Sequence, residues 1–229
     1  MSTLRLLNKL IKPFRYEISR IDEFEKAIRK TLRKQEQFYF VQVGANDGVH
    51  FDNLFALVSN DKCRGLVVEP LEYYFEKLER HYAGFPNIQP IRCAIHESES
   101  TAVVYHIDPD SLDSFPPWFA GLGSFDREHL IRAGVAPEQI AAEQVDCMPL
   151  TRLIEDYRLP RVDLLQIDTE GYDAEIVKSI DFQQYPPRII KYEQTHLSPA
   201  DVQDTRRLLR DNGYRVLTQG NDCVALRLE

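Results

Sequence analysis

Cysteine is scarce in this chain of 229 residues, and its few cysteines form no metal-binding or redox motif. Cys63, Cys93, Cys147 and Cys223 lie far apart, and no two of them make a C-x-x-C pair. Such spacing is atypical of zinc sites and of thiol–disulfide redox centres. We therefore predict four reduced, buried thiols in a cytoplasmic protein.

Long apolar runs are also missing, since the longest have only the length of a β-strand. We expect no transmembrane segment, because a spanning helix needs about 20 apolar residues. Near the start of the chain, Arg5, Asn8 and Lys9 leave no apolar stretch long enough for a secretory signal. No such signal is expected.

Positive charge is in deficit, with a net charge of −8 and a sequence pI of about 5.3. This balance argues against a general nucleic-acid binder. Residues 1–37 differ, because they hold ten Lys and Arg against five Asp and Glu. Apolar residues recur there at helical spacing from Ile18 to Leu32. We predict an N-terminal helical segment with a basic face, which is either solvated or contacts a partner or an anionic surface.

A glycine-bounded turn follows the first predicted strand. The aromatic and β-branched run Phe38–Val43 is typical of a strand buried on both faces of a parallel sheet. Gly44 and Gly48 then allow a tight turn whose backbone approaches a ligand. The three residues between them are small or polar: Ala45, Asn46 and Asp47. A carboxylate there favours a cationic ligand, and capping of the next helix is the alternative.

A second apolar strand ends in an acidic residue. Glu69 and Pro70 follow Gly65–Val68, and Glu69 lies about 20 residues beyond the glycine turn. Rossmann-like folds place at this distance the acid that binds a ribose diol. The spacing predicts a cofactor that contains a nucleoside. Ala94, on a third strand predicted over Asn87–Ile95, completes the predicted cofactor site.

Acidic residues also follow a central strand, Val162–Ile167. Asp168 and Glu170 lie at its carboxyl end, and the next strand leads to Glu193 and His196. Ligands of open α/β sheets bind at this edge. Asp168, Glu170 and His196 are candidate bases, and Glu193 and His196 are candidate substrate contacts. A divalent metal held by these carboxylates with His196 is an alternative, but no ligand spacing requires it, and we predict no metal.

Residues 108–143 interrupt the alternation of strands and helices. The stretch is rich in aromatic residues, Pro and Gly, which makes it an improbable plain connector. We predict a lid or substrate-binding loop that brings Trp118 and Ser124 to the acceptor. A structural flap without ligand contact is the alternative. A short strand over residues 144–148 is predicted to follow.

The chain ends in two short strands, Tyr214–Leu217 and Cys223–Leu228, joined by a Gly-Asn-Asp turn that is typical of an antiparallel hairpin. Strands and helices alternate before it. We predict an α/β domain over residues 38–229, with a doubly wound, mostly parallel, Rossmann-like sheet and one reversed C-terminal strand. The lid-like insertion interrupts this domain at about 108–143.

In combination, these motifs resemble the FkbM-family methyltransferases over about residues 36–228. Four segments carry the resemblance in order: Val43–Gly48, Val68–Pro70, Leu164–Gly171 and Gly213-Tyr214. The family implies a class I methyltransferase fold, S-adenosylmethionine as cofactor, and methyl transfer to a hydroxyl of a sugar, glycan or natural product. The acceptor is then a small molecule or a glycan.

The resemblance assigns roles to individual positions. The residues that match the cofactor turn and the ribose acid are Gly44, Ala45, Asn46, Gly48 and Glu69. Asp168 and Glu170 match the motif beside the transferred methyl. Two positions depart from the family: Gln42 replaces an Asp that contacts the methionine ammonium, and Asp173 replaces a Glu and is expected on a helix surface. A NAD-dependent oxidoreductase and a non-catalytic binding protein stay open as alternatives.

Overall fold

Seven strands form one sheet with helices on both faces in the computed structural model, which describes residues 23–50 and 54–228. The strands are β1 (Phe38–Val43), β2 (Cys63–Val68), β3 (Ile88–Ile91), β8 (Leu164–Ile167), β9 (Ile189–Glu193), β10 (Tyr214–Gln219) and β11 (Asp222–Arg227). Their spatial order is β10-β11-β9-β8-β1-β2-β3, and only β11 runs antiparallel to its neighbours. The predicted sheet with one reversed C-terminal strand is confirmed.

Two layers of helices cover this sheet. These helices are α1 (Glu23–Lys34), α2 (Leu54–Val58), α3 (Glu72–Tyr82), α5 (Leu150–Asp156), α6 (Asp173–Lys178) and α7 (Pro199–Asp211), whereas α4 (Arg127–Arg132) lies in the insertion. Side chains alternate along each strand. Val41 and Val43 therefore face the core shared with α5, α6 and α7, while Phe38 and Phe40 face the core shared with α1, α2 and α3.

Helix α1 packs its apolar side against the sheet through Phe24 and Ile28, one turn apart. Acidic residues occupy its first turn and basic residues its last turn, which complements the helix dipole. The predicted contacts of Ile18 and Ile21 lie outside the described residues. A role for the basic segment in binding a partner stays a prediction.

A second sheet of four strands, which the sequence analysis missed, lies beside the main one in the order β4-β7-β5-β6. Its strands are β4 (Ala94–Ile95), β5 (Thr101–Ile107), β6 (Gly123–Ser124) and β7 (Ile140–Met148). The single strand predicted over Asn87–Ile95 is wrong, because the chain leaves the main sheet after Ile91 and β4 pairs with β7 instead. The short strand predicted at 144–148 is in fact the second half of a nine-residue strand.

The insertion is more regular than predicted. Three 3₁₀ turns (Pro109–Ser114, Pro117–Gly121 and Pro137–Gln139) surround β6 and α4. Its apolar residues form a small core of their own with the end of β5: Ile107, Phe119, Leu122, Leu130 and Val135. The predicted boundary of the insertion at residue 143 is therefore wrong, because residues 140–143 belong to β7. Among the helices of the described residues, none is long and apolar enough to cross a bilayer.

Candidate active site

The glycine turn brings the ends of β1 and β8 together. Gly44 has φ +75°, a left-handed conformation, and the N–H groups of Gly44 and Ala45 both donate to the carbonyl of Val68. A Cβ atom at Gly44 would lie 2.8 Å from the carbonyl carbon of Asp168 and still closer to its oxygen. Only glycine allows this approach.

Glu69 holds the same turn from the end of β2. Its Oε2 accepts a hydrogen bond from the Asn46 N–H at 2.9 Å, and its Oε1 accepts one from the Leu71 N–H at 3.0 Å. A carboxylate has about four acceptor positions, so further hydroxyl donors from a ligand can be accepted. Burial raises the pKa of Glu69 to about 7, against the effect of the two N–H donors.

Acidic side chains gather at the carboxyl ends of β8 and β9. Asp168 is a solvent-exposed residue at the cleft, but enclosure by the surrounding protein and the charges of Asp173, Glu193 and Glu170 still raise the pKa of its carboxyl above the ordinary value. Burial and the nearby Glu170 and Asp173 carboxylates also raise the pKa of Glu193 to about 7. The ionised carboxylates thus destabilise one another at this edge, so a cationic ligand would stabilise their charged forms.

Asp173 is a structural residue rather than a surface acid. It is 1% exposed, and it accepts hydrogen bonds from the Thr169 N–H, the Thr169 hydroxyl and the Glu193 N–H. These contacts tie the loop after β8 to the end of β9. The prediction that Asp173 lies on the helix surface is wrong, because the first turn of α6 points into this loop.

A cleft of about 630 Å³, partly open to solvent, lies between these strand ends and the insertion. That volume includes open solvent, and the space within it that the centres of water-sized molecules can reach is only about 70 Å³. Three carboxylates line it, from Glu69, Asp168 and Glu170, and its lining within the described residues contains no Lys, Arg or His. The predicted residues Gly44, Asn46, Pro70, Ala94 and Ser124 line it as well.

Residues that the sequence did not single out form much of the cleft wall: Tyr74, Cys93, Ile95, Phe125, Thr169 and Tyr172. Phe125 and Tyr172 make an edge-to-face pair with ring centroids 5.0 Å apart. The Asn46 side-chain amide donates to the Ala120 carbonyl, and the Ser124 hydroxyl donates to the Glu170 carbonyl. The insertion is therefore anchored to both ligand-facing loops.

Several predicted site residues lie away from the cleft. Ala45 belongs to the core under β1, and a Cβ at Gly48 would collide with Leu78 and Tyr82. The Asp47 carboxylate accepts hydrogen bonds from the N–H groups of Val49 and His50 in the turn before α2, and capping of the helix itself stays a prediction. Gln42 is buried inside β1.

Trp118 is also away from the cleft. Its side chain is 57% exposed on the insertion and rests against Phe119. Phe119 occupies the inward position and packs in the insertion core, so Trp118 does not line the cleft, and its contact with the acceptor stays a prediction. The aromatic surface that does face the cleft comes from Phe125 and Tyr172.

His196 and Glu193 do not line the cleft, but they lie next to Glu170, which does. His196 Nε2 is 3.2 Å from Glu170 Oε2 and 3.8 Å from Glu193 Oε2. A residue that the sequence analysis did not single out, His129 of α4, approaches the same Glu170 oxygen at 3.3 Å. Burial lowers the pKa of His196. No local sequence motif indicates a site role for His129, because only the packing of the insertion brings α4 close to Glu170.

A family model for the methyltransferase FkbM domain matches residues 42–216 of the chain. A search of curated protein sequences gave no significant match.

Several solved methyltransferase structures are similar to this chain at low identity. The structure of methyltransferase FkbM from Methylobacillus flagellatus KT has a TM-score of 0.51 and 15% identity, and the match covers 83% of this chain and 44% of that one. This chain therefore spans less than half of that protein. Precorrin-6y C5,15-methyltransferase from Geobacter metallireducens GS-15 matches with a TM-score of 0.42, 14% identity and coverages of 88% and 86%. The METTL16 MTase domain matches with a TM-score of 0.49 and 10% identity, and the match covers 98% of this chain and 79% of that one.

Proposed function

Because the chain belongs to the FkbM methyltransferase family, we propose that it methylates a hydroxyl of a sugar, a glycan or a related polar metabolite. The family and the fold give a methyltransferase that uses S-adenosylmethionine as methyl donor. When bound, this cofactor supplies a methyl group that is activated by a sulfonium centre. What we propose beyond this is the chemical class of the acceptor, namely a molecule that is methylated on a hydroxyl group.

The cleft has the groups that this cofactor requires. Glu69 has free acceptor capacity for the ribose hydroxyls, and the backbone of Gly44 and Asn46 gives a close approach. Three lining carboxylates match a ligand with net positive charge. The same lining would repel the pyrophosphate of a nicotinamide dinucleotide, and this disfavours the oxidoreductase alternative.

Asp168 is the residue that we assign as general base. A hydroxyl must lose its proton while oxygen bonds to the methyl carbon, and a base within hydrogen-bond reach can accept that proton. The Asp168 backbone carbonyl lies against Gly44 of the glycine turn and its side chain lines the cleft, whereas the Glu69 carboxylate already accepts hydrogen bonds from the N–H groups of Asn46 and Leu71. The position of Asp168 at the junction of the β1 and β8 ends is the single observation that carries the assignment.

The remaining cleft residues suit an uncharged polyhydroxyl acceptor. Glu170 and Ser124 line the side of the insertion, and carboxylates accept hydrogen bonds from hydroxyl groups. The Phe125 and Tyr172 rings give an apolar surface for one face of a sugar ring. The lack of any lining cation among the described residues argues against a phosphorylated acceptor.

The first experiment is calorimetric titration of the protein with S-adenosylmethionine, its demethylated product and NAD. We expect the first two to bind and NAD not to bind. Incubation with ¹³C-methyl cofactor and a panel of glycosides, polyols, amines and carbon acids then identifies the acceptor. The carbon chemical shift of the product distinguishes O-, N- and C-methylation. A product methylated at nitrogen or carbon would refute the O-methylation proposal.

The second experiment replaces the assigned base. Asp168→Asn keeps the shape of the side chain, and turnover should fall by about 10²–10⁴ because general-base assistance is lost. Asp156→Asn is the matched control, since Asp156 is an exposed residue of α5 paired with Arg152. Turnover of Asp168→Asn within a few-fold of the parent would remove Asp168 from this role.

A cytoplasmic location stays a prediction. All four cysteines are free and buried in the structure, which is consistent with a reducing compartment.

A further inference from the structure

Three metal-ligating side chains from three separate segments converge beside the cleft. His129 belongs to α4 in the insertion, Glu170 to the loop after β8, and His196 to the loop after β9. Their ligand atoms all lie within 4.8 Å of one another. The two imidazole rings are nearly perpendicular, at 89°, with centroids 4.4 Å apart. They therefore approach the carboxylate from different directions.

The spacing of these atoms matches a coordination shell. Glu170 Oε2 is 3.3 Å from His129 Nε2 and 3.2 Å from His196 Nε2. Zinc bonds to nitrogen and oxygen of about 2.0–2.1 Å, at the tetrahedral angle, place neighbouring ligand atoms about 3.3–3.4 Å apart. The observed separations agree with that value to about 0.1–0.2 Å.

Hydrogen bonding does not account for the cluster. The side chain of His129 is 9% exposed, and its Nε2 has no hydrogen-bond partner. The facing Glu170 Oε2 is also buried without a hydrogen bond, and its contacts with the two imidazoles are ion pairs only when those rings are protonated. Leaving such groups unsatisfied is costly. An ion between the three atoms would satisfy them together.

Nearby protein cations do not balance the charge. Arg132, in the last turn of α4, pairs with Asp126 at 2.8 Å, and the Arg127 guanidinium donates to the Pro137 carbonyl. Asp168 and Glu193 add further negative charge around Glu170. Glu193 is the next nearest carboxylate and offers a fourth ligand, with its Oε2 3.8 Å from His196 Nε2.

We propose that His129, Glu170 and His196 form a binding site for one divalent transition-metal ion of the zinc class. Two imidazoles with one carboxylate suit such ions, whereas Mg²⁺ and Ca²⁺ prefer all-oxygen sites. The ion links α4 of the insertion to the loops after β8 and β9, beside the cleft. This proposal goes beyond methyl transfer and does not depend on which acceptor is methylated.

The test uses Co²⁺ as a spectroscopic probe on the full chain after treatment with a chelator. We expect one equivalent to bind, with visible d–d absorption of a four- or five-coordinate ion and no sulfur-to-metal charge-transfer band, because no cysteine is among the ligands. Zn²⁺ should displace the Co²⁺, and Mg²⁺ should not. Weak or non-stoichiometric binding, or a sulfur band, would overturn the proposal.

Variants assign the ligands. His129→Gln and His196→Gln should each weaken Co²⁺ binding by more than about 100-fold, because loss of an outer-shell partner alone costs 10–100-fold. His106→Gln is the matched control, as His106 is a buried imidazole outside the cluster and should bind Co²⁺ like the parent. His196 is 33% exposed, so its variant stays informative if His129→Gln fails to fold. Parental Co²⁺ affinity in a folded His196→Gln would exclude the site.

Discussion

Replacement of Gly44 by alanine tests the architecture of the candidate active site most directly. Two costs arise from the structure. Alanine at φ +75° is held in the left-handed region, which costs about 1–2 kcal/mol. Its Cβ would also overlap the Asp168 carbonyl group, at distances that real Cβ atoms do not show. The turn must therefore move away from β8.

This movement displaces the ligand-facing backbone. The Asn46 N–H that binds Glu69 lies two residues from Gly44, so a shift of the turn misplaces the predicted ribose site. A displacement of about 1 Å at such a site can cost about 10²-fold. We expect Gly44→Ala to bind S-adenosylmethionine about 100-fold more weakly and to lose about 1–3 kcal/mol of unfolding free energy.

Calorimetry and urea unfolding measure these two quantities. Gly84→Ala is the matched control, because Gly84 lies in a turn after α3 and its added Cβ would meet no atom within 4 Å. That variant should match the parent in both measurements. Parental cofactor affinity in Gly44→Ala would show that the close approach of the turn to Asp168 does not determine the site.

Three further predictions address charge and packing. Glu69→Gln should weaken S-adenosylmethionine binding roughly tenfold to a hundredfold in calorimetry, because a charged acceptor of hydroxyl donors contributes about 1.5–3 kcal/mol. Since the pKa of Glu69 is raised to about 7, its ionised form is lost as the pH falls through 7. The affinity of the parent should therefore drop by about tenfold more than that of Glu69→Gln between pH 8 and pH 6, because in the variant only the remaining cleft carboxyl with a raised pKa, Asp168, still titrates. An equal pH dependence in both would contradict the assignment. Asp163→Asn should lower the unfolding free energy measured in urea by about 1.5–3 kcal/mol. The fully buried Asp163 carboxylate pairs with Arg161 and Arg188 and accepts a hydrogen bond from the Tyr39 N–H. An unchanged midpoint of urea unfolding would contradict this expectation. Leu153→Ala, inside the core under α5, should cost about 2–5 kcal/mol, and a loss below about 1 kcal/mol would indicate a poorly packed core.

The sequence by itself determined the parallel sheet, the glycine turn and the acidic ends of the strands. These features depend on local rules, such as apolar runs of strand length, glycine at a left-handed turn, and the fixed spacing from the turn to Glu69. Parallel strands place their carboxyl ends at one edge. For that reason Gly44, Glu69 and Asp168 lie around one cleft as the sequence indicates.

Only the tertiary structure decided how the insertion and the second sheet are arranged. The pairing of β4 with β7 joins Ala94 to Cys147, and the packing of α4 brings His129 to Glu170. These contacts connect residues about 40–50 positions apart, and no local periodicity specifies them. Burial of Asp173 and exposure of Trp118 follow from the same packing. The chemical type of a side chain indicates which interactions it can make. Its neighbours across the fold determine whether it lines the site.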